Sequence, residues 1–431
     1  MSNIIAKQKV HFTGIGGIGM SALAQLLAER GDTIVGTDRG ESPITQMLEK
    51  KGITVLLEQV TENVADDTTL LVYSDAVPGD NPERLRAAEL GIPQLTYFEM
   101  LGVVSAEKRT IAVAGTHGKT TTSGMLARIL RDANVSPTAV VGSVVQDFGS
   151  NYLSGDSELF VVESCEWRRH FLNLTPEVLV VTNIEFDHTD YFKDLADVQD
   201  AFRTIMQKVP AHGAIITDAE HPNIQPLLEG LSAPVIDYAQ FPSYEMRLPG
   251  DFNKMNARAA SAAARFVVPD IYESTIVESL AEFHGTWRRF EHKGTTATGA
   301  DIYDDYAHHP TAIQETLRAL RARVGDGRIV VAFHPHLYSR TRDLFDGFAR
   351  SFRDADEVIL APIFAAREID DGTVSSESLA EAILENGTPA RAAASLDEVQ
   401  KLLSAYGTGD TLMTMGAGDI YKVADALVEK N

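Results

Sequence analysis

An α/β chain of three units is what the sequence predicts, and three observations carry the prediction. Short apolar runs alternate with helical patterns along the whole chain. Those runs end in Gly, Asp, Glu or His, which is chemistry that belongs beyond the carboxyl ends of strands in an open parallel sheet. At 431 residues the chain is also too long for one ordinary core. The expected domains are 1–106, 107–288 and 289–431, with the first boundary in the polar stretch Ala106 to Arg109.

Composition narrows the partners. The formal charge of −23 repels nucleic acid and anionic lipid, and no Lys/Arg block overcomes it locally. Cys165 is the single cysteine, so no intramolecular disulfide is possible, which fits a reducing compartment. The N-terminal Met-Ser-Asn-Ile-Ile-Ala-Lys-Gln-Lys lacks the apolar stretch of a secretory signal, and no apolar run approaches membrane-spanning length. The expectation is a cytoplasmic protein without nucleic-acid or membrane partners, working as a monomer or homodimer.

Val10 to Thr13 reads as a buried strand running into Gly14-Ile15-Gly16-Gly17-Ile18-Gly19 and then the helical pattern Ser21 to Glu29, capped by Gly31. Strand Thr33 to Gly36 delivers Asp38. This is a Rossmann-like opening, with glycines for close approach to a pyrophosphate and an acidic residue about 20 positions on for a ribose hydroxyl. A nicotinamide dinucleotide, a UDP-sugar or a plain tight turn all satisfy it. Strand Leu70 to Tyr73 then leads to Ser74 and the helix Asn81 to Leu90.

The second unit opens with the strand Thr110 to Ala114, the loop Gly115-Thr116-His117-Gly118-Lys119-Thr120-Thr121 and the helical pattern Ser123 to Arg131. That order makes a phosphate loop. Its glycines let backbone N–H groups and a helix N-terminus face an anion, Lys119 reaches outer phosphates, and Thr120 can ligate Mg²⁺. Only two residues separate the glycines, where the full motif has four. After a Gly/Ser/Asn-rich stretch, Gly142 to Ser154, strand Leu159 to Val162 ends in Glu163, and strand Val178 to Thr182 ends in Asn183-Ile184-Glu185-Phe186-Asp187-His188. Glu163, His188 and the phosphate loop can therefore converge at one sheet edge around Mg²⁺ and a triphosphate, although a solvated strand end and a helix-capping histidine also explain them. Asn253 and Asn256 share a helix face and can meet a purine edge or cap the helix. In Thr286 to Glu291, one of Arg288 and Arg289 is free to reach a phosphate, unless both form ordinary ion pairs.

The third unit repeats the alternation. Strand Ala300 to Tyr303 ends in Asp304-Asp305-Tyr306-Ala307-His308-His309-Pro310, and a helix follows with Ile313, Leu317, Leu320 and Val324 on one stripe. Strand Ile329 to Phe333 ends in His334-Pro335-His336-Leu337-Tyr338-Ser339-Arg340, where the histidines are site walls or simple loop residues. Strands Val358 to Ala361 and Thr411 to Met415 complete a second doubly wound sheet, the latter ending in Gly416-Ala417-Gly418-Asp419.

Together these stretches resemble the Mur ligase family over nearly the whole length. The resemblance rests on Gly14-Ile-Gly-Gly-Ile-Gly-Met-Ser21, Gly115-Thr-His-Gly-Lys-Thr-Thr121, Thr182-Asn-Ile-Glu-Phe-Asp-His188, Arg288-Arg-Phe290, Asp304-Asp-Tyr-Ala-His-His-Pro310 and Gly416-Ala-Gly-Asp-Ile420, in that order. It implies a UDP-binding Rossmann-like domain, a central P-loop ATPase-like α/β domain and a C-terminal Rossmann-like domain that closes over an amino acid. It further implies ATP and Mg²⁺ as cofactors, with L-alanine joined to the lactyl carboxylate of UDP-N-acetylmuramate through an acyl phosphate. On matching positions, Lys119 would hold the ATP phosphates, with Thr120, Glu163 and His188 positioning the metal. Asn253 and Asn256 would contact adenine, and Arg289 and Asp305 would line the nucleotide side. Gly16, Gly17, Ser21, Asp38 and Ser74 would bind UDP, and Tyr306, His308 and Arg340 would face the amino acid.

The chain departs from the family pattern in three places. Glu163-Ser-Cys-Glu-Trp-Arg168, followed by Arg169, replaces a stretch that is more acidic in many members, while Glu163 and His188 keep their spacing of 25. Leu337 stands where some members have an arginine, and Phe252 replaces a histidine. The resemblance also admits a recycling ligase that attaches a tripeptide to the same UDP-sugar. A nicotinamide dehydrogenase and a non-catalytic UDP-sugar-binding regulator are the rivals from other classes.

Overall fold

The computed structural model describes residues 7–428; residues 1–6, which open the N-terminal stretch read above, and 429–431 lie outside them. Three sheets follow one another along the chain. The first is wholly parallel, built from β1 (Lys9–Thr13), β2 (Thr33–Thr37), β3 (Thr54–Leu56), β4 (Leu70–Tyr73) and β5 (Gln94–Thr96) in the order β3-β2-β1-β4-β5. The second comprises β6 (Arg109–Ala114), β7 (Thr138–Val145), β8 (Ser150–Leu153), β9 (Leu159–Glu163), β10 (Val178–Val181), β11 (Ala214–Thr217) and β12 (Val235–Asp237), ordered β12-β11-β10-β6-β9-β7-β8. The third contains β13 (Glu291–Thr295), β14 (Asp301–Asp305), β15 (Arg328–Phe333), β16 (Glu357–Leu360), β17 (Ala390–Ala392) and β18 (Asp410–Met415), ordered β13-β14-β18-β15-β16-β17. The fold is thus three-unit α/β with parallel-rich sheets. No helix among the described residues is long and apolar enough to cross a membrane.

Register decides where the chemistry goes. In the second sheet Val113 pairs with Glu163 and Ala114 with Val181, so the phosphate loop emerges between Glu163 on one side and Asn183 to His188 on the other. In the third sheet Met415 lies between Asp305 and Phe333, which gathers Tyr306 to His309, His334 to His336 and Gly416 to Asp419 at one edge. In the first, Thr13 lies between Thr37 and Tyr73, which brings Gly14, Asp38 and Ser74 together. The central strands are buried on both faces, as parallel strands flanked by helices must be, so their sequences are continuous apolar runs.

Several elements differ from expectation. The Gly/Ser/Asn-rich stretch Gly142 to Ser154, assigned no element from the sequence, forms most of the antiparallel hairpin β7–β8. Its glycine is a contact device, because a Cβ on Gly142 would lie 2.5 Å from the Glu163 carboxylate. The hairpin reaches the first unit, where Tyr152 donates a hydrogen bond of 2.6 Å to Glu29 on the helix Ile18–Glu29. That helix begins at Ile18, earlier than Ser21, since the glycine loop feeds directly into it. The apolar cluster around Phe12, Leu23 and Leu27 continues through Phe160, Phe171 and Phe202, so the first two units share one core. The third unit has cores of its own.

Arg288 is a buried anchor. Its guanidinium donates to Asp304 at 2.7 Å and to the carbonyls of Gly416 and Gly418 at 2.6 and 3.1 Å, tying the loop after β18 to β14. Both members of the ion pair are almost fully enclosed. Arg288→Met would leave Asp304 buried without its counter-charge, which costs about 3–5 kcal/mol. The expected result is a clear fall in the urea midpoint of the third unit, followed by far-ultraviolet circular dichroism; an unchanged midpoint would refute the anchoring role.

Candidate active site

The loop after β6 is shaped by two glycines. Gly115 has φ +134° and Gly118 φ +82°, and Gly118 immediately precedes the helix Lys119–Asp132. A Cβ on Gly118 would collide with the Asn256 amide, so only glycine lets the loop approach the helix Asp251–Val267 this closely. Lys119 folds back over the loop: its Nζ lies 3.0 and 2.9 Å from the two Glu166 carboxylate oxygens and 3.1 Å from the Thr116 carbonyl. Burial works against the ammonium, but the fields of Glu166, Cys165 and Glu163 outweigh it and raise the Lys119 pKa. Glu166 is likewise desolvated, and Lys119 and then His188 hold it below the usual carboxylate range. The sequence reading passed over Glu166, treating it only as part of an altered acidic stretch. The available signal was its place just past the end of β9, beside the strand that bears the phosphate loop.

Thr120 donates to Glu163 at 3.0 Å, and the other Glu163 oxygen accepts from the Gly142 N–H at 2.7 Å. Arg289 reaches the same threonine hydroxyl at 3.4 Å. His188 Nε2 lies 3.4 Å from Glu166, the carboxylate that also holds Lys119. The three residues expected around a metal therefore line one cavity, but only Thr120 and Glu163 touch each other. Asn253 and Asn256 line it too; the Asn256 amide donates to the Asn253 oxygen at 3.3 Å, and neither caps its helix, whose N-cap is Gly250. Both arginines line the cavity, but the Arg288 guanidinium is taken up by Asp304 and the Gly416 and Gly418 carbonyls, whereas Arg289 lies over the Tyr306 ring at 4.8 Å. Asp305 accepts from the Phe290 and Ala307 N–H groups at 2.7 Å each, and burial, opposed by Arg289, moves its carboxyl up to about 6. The cavity holds about 690 Å³ and is walled by the strand ends of the second and third sheets.

His308 and Tyr306 also line this cavity. Burial, reinforced by Arg340, holds His308 neutral, with its Nδ1 2.9 Å from the Tyr306 carbonyl. Arg340 is placed differently from expectation. It is not part of the cavity wall; its Nε donates to Asp187 at 2.8 Å, its Nη1 meets His336 at 3.0 Å, and it is 3 % exposed. Leu337 is buried with φ +69°.

A second cavity of about 330 Å³ lies along the first unit and shares Ile18, Gly142, Glu163 and Cys165 with the large one. Of the residues expected for UDP, Gly17 and Ser74 line it. Gly16 and Asp38 instead bond each other, N–H to carboxylate at 2.7 Å, and the buried Ser21 hydroxyl donates to the Ile18 carbonyl at 2.9 Å. The arginines of the altered stretch turn aside: Arg168 stacks on Trp167 at 4.6 Å, and Arg169 pairs with Asp197 at 2.6 Å and Asp200 at 2.9 Å. Both have φ in the left-handed region, 50° and 59°.

Three α/β units closing on a phosphate loop define a class of protein, and comparison with known proteins narrows it. The chain matches the family descriptions "Mur ligase family, catalytic domain" over residues 9–109, "Mur ligase middle domain" over 113–241 and "Mur ligase, glutamate ligase domain" over 288–418. It belongs to the Mur ligase family. The UDP-N-acetylmuramate--L-alanine ligase of Desulfitobacterium hafniense is 43 % identical over 97 % of this chain and 99 % of its own length. Among solved structures, the UDP-N-acetylmuramate-alanine ligase of Thermotoga maritima superposes with TM-score 0.79 at 26 % identity, covering 97 % of this chain and 98 % of that one. The murein peptide ligase of Psychrobacter arcticus shares the fold, with TM-score 0.71 at 24 % identity over 97 % and 98 % of the two chains. Membership sets aside the nicotinamide dehydrogenase that the first glycines alone allow.

Cys165 sits where the two cavities join, and burial, with Glu166 adding to it, pushes its thiol up to about 12. A thiol held protonated is a poor nucleophile. With a single cysteine in the chain, Ellman's reagent at pH 8 should label native protein far more slowly than urea-unfolded protein. Equal rates would contradict the environment described.

Proposed function

We propose that the chain is an ATP-dependent ligase that joins L-alanine to the lactyl carboxylate of UDP-N-acetylmuramate in peptidoglycan precursor synthesis. One observation carries this beyond family membership: the cavity beside the first unit's glycine loop opens into the phosphate-loop cavity at Glu163 and Cys165. A UDP-sugar held by the first unit can thus present its carboxylate to a nucleotide held by the second. The printed activities of the relatives supply the matching substrates.

The carboxylate attacks the γ-phosphate of ATP, the bond to the β-phosphate oxygen breaks, and ADP leaves an acyl phosphate. Lys119 exchanges Glu166 for phosphate oxygens and neutralises the charge that spreads over the transferred group. Arg289 lies on the same side of the site through Thr120. The amine of alanine then attacks the activated carbonyl and inorganic phosphate leaves. Neutral His308, with Nδ1 turned to the Tyr306 carbonyl, offers its other nitrogen as an acceptor for the amine's N–H. The third unit walls the cavity and excludes water, which would otherwise consume the acyl phosphate.

Mg²⁺ fits the donors at the phosphate loop. The Thr120 hydroxyl and Glu163 carboxylate, in mutual contact beside the phosphate-binding turn, are hard oxygen ligands, and His188 lines the same cavity beside Glu166. Thr120 and Glu163 would hold the ion with the nucleotide, where it supplies charge neutralisation.

Phosphate release should require ATP, Mg²⁺ and UDP-N-acetylmuramate together. With L-alanine, glycine, L-serine and the tripeptide compared as acceptors, L-alanine should give turnover and the product mass of the alanyl adduct. Release with the tripeptide alone would replace this reading with the recycling ligase. Lys119→Ala should lower turnover by on the order of 100–1,000-fold while UDP-sugar binding persists; unchanged turnover would refute the mechanism.

A further inference from the structure

Three side chains from separate parts of the chain meet in a corner of the large cavity that the ligase chemistry does not use. His117 comes from the phosphate loop, Glu185 from the segment after β10, and His309 from the residue that caps the helix Pro310–Val324. His117 Nε2 lies 3.5 Å and His309 Nδ1 3.6 Å from the same Glu185 oxygen, Oε2. One ligand atom from each residue falls within 4.8 Å of the other two. Those separations are too long for good hydrogen bonds. The two histidine–Glu185 distances suit groups gathered around an ion, since metal–ligand bonds of about 2.0–2.2 Å in tetrahedral geometry put neighbouring ligand atoms roughly 3.3–3.6 Å apart, and the two histidines close on each other when it binds.

The protonation states fit as well. His117 Nε2 is buried without a hydrogen-bond partner. His309 is held at about 4 by burial and by His117, so it is a neutral imidazole at physiological pH. Its Nε2 lies 3.3 Å from the Phe186 carbonyl, which places the proton there and makes Nδ1, 3.6 Å from Glu185, the lone-pair nitrogen. Glu185 is ionised, at about 2, with desolvation outweighed by His117, Thr311 and His309. The Thr311 hydroxyl donates to Glu185 Oε2 at 2.6 Å and its N–H makes a long bond of 3.3 Å to His309 Nδ1, the one contact that an ion would displace. The backbones are pinned in advance: the His117 N–H donates to Asn183 at 2.9 Å and the Glu185 N–H to Thr116 at 2.8 Å.

We propose that His117, Glu185 and His309 form a binding site for one borderline divalent transition-metal ion of the Zn²⁺ or Co²⁺ class, separate from the Mg²⁺ donors. Two imidazoles and one carboxylate select such ions over Mg²⁺, which prefers oxygen, and three protein ligands leave a fourth position toward the cavity. Because His309 belongs to the third unit and the other two ligands to the second, the bound ion cross-links the units and holds the cleft closed.

Co²⁺ alone, added to the nucleotide-free full-length protein, tests this through its visible d–d spectrum and through metal content after dialysis. The expected result is one ion per chain with a tetrahedral-type spectrum, and a higher melting temperature. His117→Gln and His309→Asn should each weaken binding more than about tenfold, since loss of outer-shell partners alone reaches that size. Asparagine keeps the helix cap, and if His309→Asn does not fold, His117→Gln decides alone. Sub-stoichiometric binding by the unaltered protein overturns the proposal. So does a spectrum that survives both substitutions but disappears in His188→Gln, which would move the ion to the phosphate side.

Discussion

Lys119 is a largely desolvated cation at the cavity wall, and such a cation needs a counter-charge before its ligand arrives as well as after. Glu166 supplies it, accepting a hydrogen bond from the ammonium through Oε1 while Oε2 lies at ion-pair distance. Much of the second unit's architecture serves this pair. β9 must lie beside β6 so that the segment after Glu163 passes the phosphate loop, and the loop must fold at Gly115 and Gly118 so that Lys119 can turn back. A phosphate that displaces Glu166 exchanges one anion for another, so the lysine stays charged throughout. The site is preorganised for negative charge because it already contains some.

The parts of this arrangement that were legible in the sequence are those written in local pattern. Central strands buried on both faces are mostly apolar, so β6, β9, β10 and β15 stand out as runs and β1 and β18, with buried His11, Thr13, Thr411 and Thr414, still read as strands, and parallel topology then puts whatever follows them at one edge. The phosphate loop was readable despite its short spacing because strand, glycines, lysine and helix came in order. Edge elements were not readable. β3, β5, β12 and β17 have three residues each, too few to show a period, and β13 is Glu-His-Lys-Gly-Thr, with no apolar face.

Side-chain partners at long range were the other blind spot. Which arginine of the Arg288–Arg289 pair is engaged by protein groups depends on Asp304 and the Gly416 and Gly418 carbonyls, known only once β14 and β18 are adjacent. Arg340 sits in a stretch rich in polar groups, and only the fold reveals that Asp187 engages it. His117, Glu185 and His309 have no common period at all. Their proximity is a product of two sheets meeting, and no local signal encodes that.

Much of the charged seam between the second and third units comes from one segment, beside the packing of Phe252 on the third unit's core and the Arg289–Thr120 contact. After β10 the chain presents Glu185, Asp187 and Asp190, and each pairs with the third unit: Thr311, Arg340 and Arg367 respectively. Trp167 reinforces the seam, donating to Asp190 at 3.2 Å beneath the Arg367 guanidinium. This differs in kind from the seam between the first two units, which is a continuous apolar core. Opening an apolar seam exposes surface that water does not repay, whereas charged groups that part regain hydration close to what their pairing gave. The first two units therefore act as one body, and the third, with cores of its own, is joined to them by contacts suited to opening and closing. A ligase that must admit three substrates and then exclude water needs that asymmetry, and a large part of it comes from the acidic residues in a single strand-end segment.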